Sequence, residues 1–403
     1  MPNQKTIDWL GEIPAHWRLA PSWSLYRRVK RTGHENEELL SVYRDHGVIP
    51  KSSRDDNHNV ESEDLSGYQL VKPGDLVMNK MKAWQGSISL SEHEGIVSPA
   101  YFVFQPLHTG HHKYFHYLLR SPEYIGAYNR ISKGVRVGQW DLDPVYFRTL
   151  PIPVPPLDEQ KAIADFLDDQ LLTIDLLIEK QQNLVSLLDE KLKVEVHSAV
   201  TKGLTKKYAI QNSGIEWAPE VPNDWAILKA SRLFKARKGS RAALLSTEYC
   251  GEHPGDYPVF SGQTENDGIM AKINTFEFDF VNKPVLFTTT VGSSRVMSVS
   301  MLEGKFSLSQ NCMIMQNTAP EILDTRFAYW LLTVAFDHKK RQLAQHMQLS
   351  FRMSDLYSYR FPIPPLPTQQ EIAGFIDSLE QQNRALKDAA LASIRLLQER
   401  RAA

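Results

Sequence analysis

Four basic side chains, Arg27, Arg28, Lys30 and Arg31, crowd together near the start of the chain, and Lys235, Arg237, Lys238 and Arg241 form a second group. Lys235 and Lys238 stand 208 residues after Arg27 and Lys30. Cations clustered in this way suit contacts to phosphate, which depend on local charge and not on the total. Two polar stretches add groups that could reach base edges. The first, Asn79-Lys80-Met81-Lys82-Ala83-Trp84-Gln85-Gly86-Ser87, lies between the apolar runs 75–78 and 88–90. The second, Thr288-Thr289-Thr290-Val291-Gly292-Ser293-Ser294-Arg295, lies between 284–287 and 296–300. Strand, glycine-containing loop, strand is the common reading of both. Lys, Arg, Gln and Ser at such a tip are the types that hydrogen-bond bases or hold phosphates, although an ordinary exposed hairpin has the same pattern.

Sets of residues that would carry catalysis fall short. Asp143-Pro144-Val145-Tyr146 is similar to the Asp-Pro-Pro-Tyr motif of amino-methyltransferases, but Val145 replaces the second proline, and no glycine-rich strand–turn–helix precedes it to hold a methyl donor. It reads as a turn. His108, His111, His112 and His116 have metal-like spacing without the carboxylate of His-Glu-x-x-His, and read as the start of a solvated helix. The glycine patterns of dinucleotide and phosphate-loop sites and the Gly-x-Ser-x-Gly elbow are missing. These absences favour an adaptor over an enzyme.

The elements that must position the basic loops are written twice. Ile7-x-Trp9 and Ile13-Pro14-x-x-Trp17 return as Ile215-x-Trp217 and Val221-Pro222-x-x-Trp225, at an offset of 208. Pro155-Pro156-Leu157-x-x-Gln160-x-x-Ile163-Ala164 returns as Pro364-Pro365-Leu366-x-x-Gln369-x-x-Ile372-Ala373, at an offset of 209. Each half therefore reads as a strand-rich module, a stiff proline corner and a helix. Asp158 is the expected N-cap of the first helix, and Thr368-x-x-Glu371 has capping-box spacing in the second. The first helix can run without Pro or Gly from about 159 to 200, roughly 60 Å, and stop at Lys202-Gly203. Heptad positions Ala164, Leu167, Leu171, Ile174, Ile178, Val185, Leu188 and Leu192 form its apolar seam. Ile372, Ile376, Leu379, Leu386, Ala390 and Leu397 form the second. Two such seams most simply pack as an antiparallel pair.

Composition agrees with this plan. Lys and Arg number 46 and Asp and Glu 47, a net charge of −1 that excludes a wholly basic nucleic-acid binder. Divided at the repeat boundaries, the charge is +1 over residues 1–150, −6 over 151–200, +4 over 201–361 and zero over 362–403. Two mildly basic modules are thus offset by one acidic helix. Cys250 and Cys312 cannot make a disulfide framework, the first residues lack a secretory pattern, and no apolar run reaches membrane-spanning length. A soluble cytoplasmic protein is expected.

The duplicated Trp and Pro-Pro-Leu-x-x-Gln-x-x-Ile-Ala motifs resemble those of the specificity subunit of type I restriction–modification enzymes, across essentially the whole chain. The resemblance implies an α+β fold with two target recognition domains in tandem pseudo-repeat, separated by two long helices packed as an antiparallel coiled coil. The expected divisions are 1–150, 151–204, 205–361 and 362–403. Each domain would read one half of a bipartite DNA target, and the two loops differ, so the target would be asymmetric. The candidate DNA contacts are Lys80, Lys82, Gln85, Lys133, Arg136 and Gln139 in the first domain. In the second they are Arg237, Lys238, Gln263, Ser293, Arg295, Gln348 and Arg352. The helices would dock two methyltransferase subunits that use S-adenosylmethionine, and restriction subunits would add ATP with Mg; the chain itself would bind no cofactor or metal and catalyse nothing. The second helix is some residues shorter than the first, which leaves the equivalence of the two docking surfaces open. A coiled-coil scaffold that does not read DNA and a self-sufficient modification enzyme are the alternative readings.

Overall fold

The computed structural model describes residues 5–44, 46–53, 64–136, 139–205, 209–263, 265–292, 296–342 and 349–402. At 5, 134–136, 139, 292 and 349 only the backbone is described. The chain forms two compact units, one of residues 1–180 with 394–403 and one of residues 181–393.

In the first unit a four-stranded antiparallel sheet has the order Tyr26–Val29, Tyr101–Pro106, Leu76–Asn79, Ile88–Leu90. Both faces of this sheet are covered. Leu76, Met78, Phe102 and Phe104 point into one core with Tyr114, Phe115, Tyr124 and Phe147, whereas Val77 and Val103 point into a second with Leu40, Val42, Val48, Val71 and Val97. Successive strand residues alternate between faces, so a run such as Leu76-Val77-Met78 is apolar throughout only because each face is dry.

The second unit repeats the plan with Phe234–Arg237, Cys312–Asn317, Phe278–Thr289 and Val299–Leu308, then adds Pro254–Phe260 and Ile269–Ile273. The repeat extends to register. Arg27 pairs with Gln105 in the first sheet, and Lys235 with Gln316 in the second. Leu286, Met313 and Met315 face one core, and Val285, Phe287 and Ile314 the other. Thr288, Thr289 and Thr290, expected in an exposed loop, are buried at the end of this strand or just beyond it. Their β-branched side chains suit a pleated interior surface.

The proline corners are strands. Pro151–Val154 pairs with Arg18–Pro21, and Arg360–Ile363 pairs with Ala226–Lys229. The helices begin at Leu157 and Leu366, directly after the second proline of each corner. Pro156 O accepts from Gln160 N at 3.0 Å and Pro365 O from Gln369 N at 3.1 Å. The prolines therefore open the helices, while Asp158 and Thr368 lie within the first turn and are not the expected caps. The first helix runs from Leu157 to Lys202, and Gly203 ends it at φ +76, where a side chain would be strained. The second runs from Leu366 to Ala402.

Within the second unit Asn383 Nδ2 donates to Leu188 O at 2.7 Å and Lys387 Nζ meets Asp189 Oδ1 at 2.7 Å. Within the first, Arg401 Nε donates to Asp175 Oδ1 at 2.6 Å and Arg400 to Gln170 Oε1 at 3.1 Å. Along the helices, 170 and 175 meet 400 and 401 while 188 and 189 meet 383 and 387, the order of an antiparallel pair. Ala164 and Ile174 are buried, and Leu167, Leu171, Ile178, Val185, Leu188 and Leu192 are half-buried. On the second helix Ile372, Ile376 and Ala390 are buried and Leu379 and Leu397 half-buried, but Leu386 is 56% exposed. The seam steps instead from Leu379 through Asn383 and Lys387 to Ala390 and Ile394. Two successive four-residue steps make a stutter, which brings the repeat nearer to 3.6 residues per turn and rotates position 386 outward. Among the described residues no helix is long and apolar enough to cross a membrane.

Candidate nucleic-acid interface

The strands Leu76–Asn79 and Ile88–Leu90 are joined by a loop whose short 3-10 turn, Ala83–Gln85, ends at Gly86 with φ +93. Asn79 Oδ1 accepts from Met81 N at 3.0 Å, and buried Ala83 anchors the turn from below. Lys82 and Gln85 are exposed on it and Lys80 is half-buried. A second hairpin, Ser132–Arg136 with Gln139–Leu142, carries Lys133, Arg136 and Gln139. The fold brings these two segments together. Leu142 N donates to Lys80 O at 2.9 Å, and the rings of Trp84 and Trp140 lie 5.0 Å apart. Lys133 Nζ lies over the ring of Tyr146, 4.7 Å from its centre. Met81, Val145 and Tyr146 are exposed beside these cations. Trp84, Trp140 and Tyr146 join the site without being among its expected contacts; two tryptophans inside polar stretches are the sequence signal for the ring pair.

The stretch 140–146 is not the expected turn. Gln139–Leu142 is a strand, and Asp143 caps the helix Pro144–Thr149 by accepting from Val145 N at 2.9 Å. The second unit builds the same joint. Phe351 N donates to Thr290 O at 2.7 Å, and Val291–Gly292 pairs with Leu349–Ser350. Arg352 then opens the helix Met353–Ser358, its N–H donating to Asp355 Oδ2 at 2.7 Å. Buried Phe351 occupies the place of buried Leu142, 209 positions earlier. Ser293, Arg295 and Gln348 lie outside the described residues.

The remaining second-domain candidates are spread out. Arg237 is exposed with its guanidinium 5.2 Å from the centre of the Phe278 ring, and Lys238 follows it on the surface. Gln263 is half-buried, and its Nε2 donates to Ile269 O at 2.5 Å, which holds its own loop together. Of the basic groups, Arg27, Arg28, Lys235 and Lys238 are exposed, whereas Arg31 is committed inward: its Nη1 donates to buried Asp75 Oδ2 at 2.5 Å.

The histidine run does open a helix, with His112 exposed in its first turn, but His108, His111 and His116 are half-buried. His111 stands at the N-cap of His112–Arg120, but His108 Nε2 and His111 Nδ1 are buried without partners among the described residues. His108 Nδ1 accepts from Gly110 N at 3.1 Å. Burial, with the nearby charges of His112 and Arg18, lowers the His108 pKa to about 4; burial, then Arg120, does the same for His116. Among the described residues no three His, Cys, Asp or Glu side chains are grouped to hold a metal.

The model of the type I restriction modification DNA specificity domain matches residues 36–186 and again 222–395. The chain is 32% identical over 143 residues to a Mycoplasma pneumoniae protein named as type I specificity subunit S.MpnORF507P, a match covering 36% of this chain and only 37% of that relative. A Methanocaldococcus jannaschii protein named for the specificity subunit of type I restriction enzyme MjaX is 22% identical over 398 residues, covering 92% of this chain and 88% of its own. The crystal structure of the HsdS subunit from Thermoanaerobacter tengcongensis shares the fold at 14% identity, with a TM-score of 0.59 over 97% of this chain and 96% of that one. With both halves matched, over the same segments that carry the duplicated joint, the chain belongs to the type I restriction–modification DNA specificity family.

Proposed function

We propose that this chain is the non-catalytic DNA-specificity subunit of a type I restriction–modification complex and reads a bipartite, asymmetric target. The observation that carries the reading is the joint made twice, Lys80 O with Leu142 N and Thr290 O with Phe351 N, presenting unlike side chains in the two copies. One scaffold with two sets of loop residues suits two different half-sites. Lys82, Gln85 and Lys133 supply cations and an amide beside exposed Tyr146 in the first domain; Arg237, Lys238 and Arg352 are the corresponding candidates in the second.

The proposed partners are two methyltransferase subunits that bring S-adenosylmethionine, and restriction subunits that use ATP with Mg. The test is binding to duplex DNA, with and without a methyltransferase partner, over a salt titration, followed by mapping of methylated positions in cells that carry the system. Affinity that falls steeply with salt, and methylation at one two-part sequence, is the expected result. DNA binding that is absent or indifferent to salt in the complex overturns the reading. Methyl transfer by the isolated chain overturns the non-catalytic assignment.

A further inference from the structure

Two hydrogen-bonded ties between the reading domain and its long helix recur in both units, and the first unit adds Trp17 Nε1 to Glu159 Oε2 at 2.9 Å. The first tie is a buried glutamine. Gln160 Oε1 accepts from His111 N at 2.8 Å while its Nε2 donates to Pro155 O at 2.8 Å. Gln369 Oε1 accepts from Asp324 N at 2.8 Å while its Nε2 donates to Ile322 O and Pro364 O, each at 2.8 Å. The second tie is a carboxylate eight residues further along each helix. Asp168 receives Lys113 Nζ at 2.5 Å and the Tyr117 hydroxyl. Asp377 receives Trp330 Nε1 at 2.9 Å and the Arg326 guanidinium.

Lys113 and Tyr117 lie one turn apart on His112–Arg120, and Arg326 and Trp330 one turn apart on Thr325–Gln342. Both pairs are a cation followed four residues later by an aromatic donor, and both partners are shifted by 213 positions between the copies. The side chains differ while the chemistry is retained. Eight residues of helix separate the ties by about 12 Å. One tie alone is a pivot, whereas two that far apart define an angle.

We propose that Asp168 and Asp377 are positioning residues that set the angle of each reading domain on its helix, and through that angle the spacing between half-sites that the chain accepts. The spacing part of this rests on the function proposed above. The carboxylate pairs are partly exposed, so they contribute direction more than stability. Partial burial opposes the charge on Asp168, but the hydrogen bonds from Lys113 and Tyr117 outweigh it and hold the carboxyl below its ordinary value.

Two measurements on the full chain test this. Without DNA, spin labels at exposed positions 123 and 180 in the first unit report the distribution of distances between domain and helix. Asp168→Ala, and the milder Lys113→Met with Tyr117→Phe, should broaden that distribution, and Lys113→Asp with Asp168→Lys should narrow it again; an unchanged width overturns the angular role. With DNA, duplexes carrying the mapped half-sites at native spacing and one base pair longer or shorter are compared. Wild type should prefer native spacing by roughly tenfold, and the variants by less than about threefold, with binding to a single half-site retained. Retained spacing preference with a broadened distribution overturns the link to DNA alone. Loss of single half-site binding in both variants marks the tie as structural and overturns the proposal. A wild-type chain that binds neither duplex even in complex with the methyltransferase partner refutes the DNA reading itself, while the label distances still decide the angular role.

Discussion

The indole rings of Trp84 and Trp140 lie with centres 5.0 Å apart and planes inclined at 52°, joining a loop of one hairpin to a strand of another 56 residues later. Leu142 N and Lys80 O close the same joint with a hydrogen bond of 2.9 Å. The relative positions of Lys82, Gln85 and Lys133 follow from this contact. Trp140→Ala should therefore weaken recognition of one half-site by about 1–3 kcal/mol and leave the other unaffected. Separate binding of the two half-sites checks it; equal losses at both would point to general unfolding.

Gln160 and Gln369 are buried amides whose oxygen and nitrogen are both engaged. Replacement by Leu strands the buried backbone groups they serve, at about 1–3 kcal/mol each. Gln369→Leu should cost more, because its Nε2 serves two carbonyls where Gln160 serves one. Urea unfolding, read separately in the two units by hydrogen exchange, distinguishes the two variants.

Arg31 belongs to a basic cluster in the sequence, yet it serves the core. Asp75 is 3% exposed at its side chain and accepts from Arg31 and from Lys72 N at 2.9 Å. Arg31→Met leaves that carboxylate buried with one partner fewer, a loss on the order of 3–5 kcal/mol. Arg28→Met, by contrast, removes an exposed guanidinium that lies over the Phe102 ring, and should change stability by less than about 1 kcal/mol. Thermal unfolding of the two variants side by side tests the distinction.

His108 and His116 are held neutral, each with its pKa lowered to about 4 by burial first and neighbouring charge second. Unfolded histidine titrates near 6.5, so between about pH 4 and 6.5 the unfolded chain binds more protons than the folded one. Stability of the first unit should therefore be full above pH 6.5 and fall as the pH drops toward 4. The slope has a ceiling of about 1.4 kcal/mol per pH unit for each histidine, reduced because both rings are partly exposed. Amide protection in His112–Arg120, taken relative to the intrinsic exchange rate at each pH, should fall over that range, and His116→Gln should flatten the response. An acid response that persists unchanged in this variant assigns it to other groups.

The duplication was the part of the fold most open to reading in advance. Motifs at offsets of 208 and 209 located both proline corners and both helices, because a proline pair and an uninterrupted apolar period are local signals. The stutter beyond Leu379 was not visible, since Leu386 satisfies the heptad and only packing shows Asn383 and Lys387 in its place. The hydroxyls of Thr288, Thr289 and Thr290 resemble a polar loop, whereas their β-branching suits the buried strand end they occupy. The site was legible as stretches rather than as a surface. Lys80, Lys82 and Gln85 were placed on a loop, but their meeting with Lys133 depends on contacts between residues distant in sequence. The inward placement of Arg31, His108 and His116 is hidden for a related reason: charge and polarity in a sequence do not reveal which groups are buried.

Trp17 and Trp225 hold equivalent places in the two halves, but their indole N–H groups fare differently. Trp17 Nε1 donates to Glu159 Oε2 at 2.9 Å, whereas Trp225 Nε1 is buried with no partner among the described residues. The residue 209 positions after Glu159 is Thr368, too short to be its equivalent acceptor. Descent from one duplicated module thus leaves the two halves with unequal reserves against further change. A substitution absorbed around Trp17 would draw on a margin that the neighbourhood of Trp225 lacks, so mutational drift should be tolerated less evenly than the symmetry of the sequence suggests.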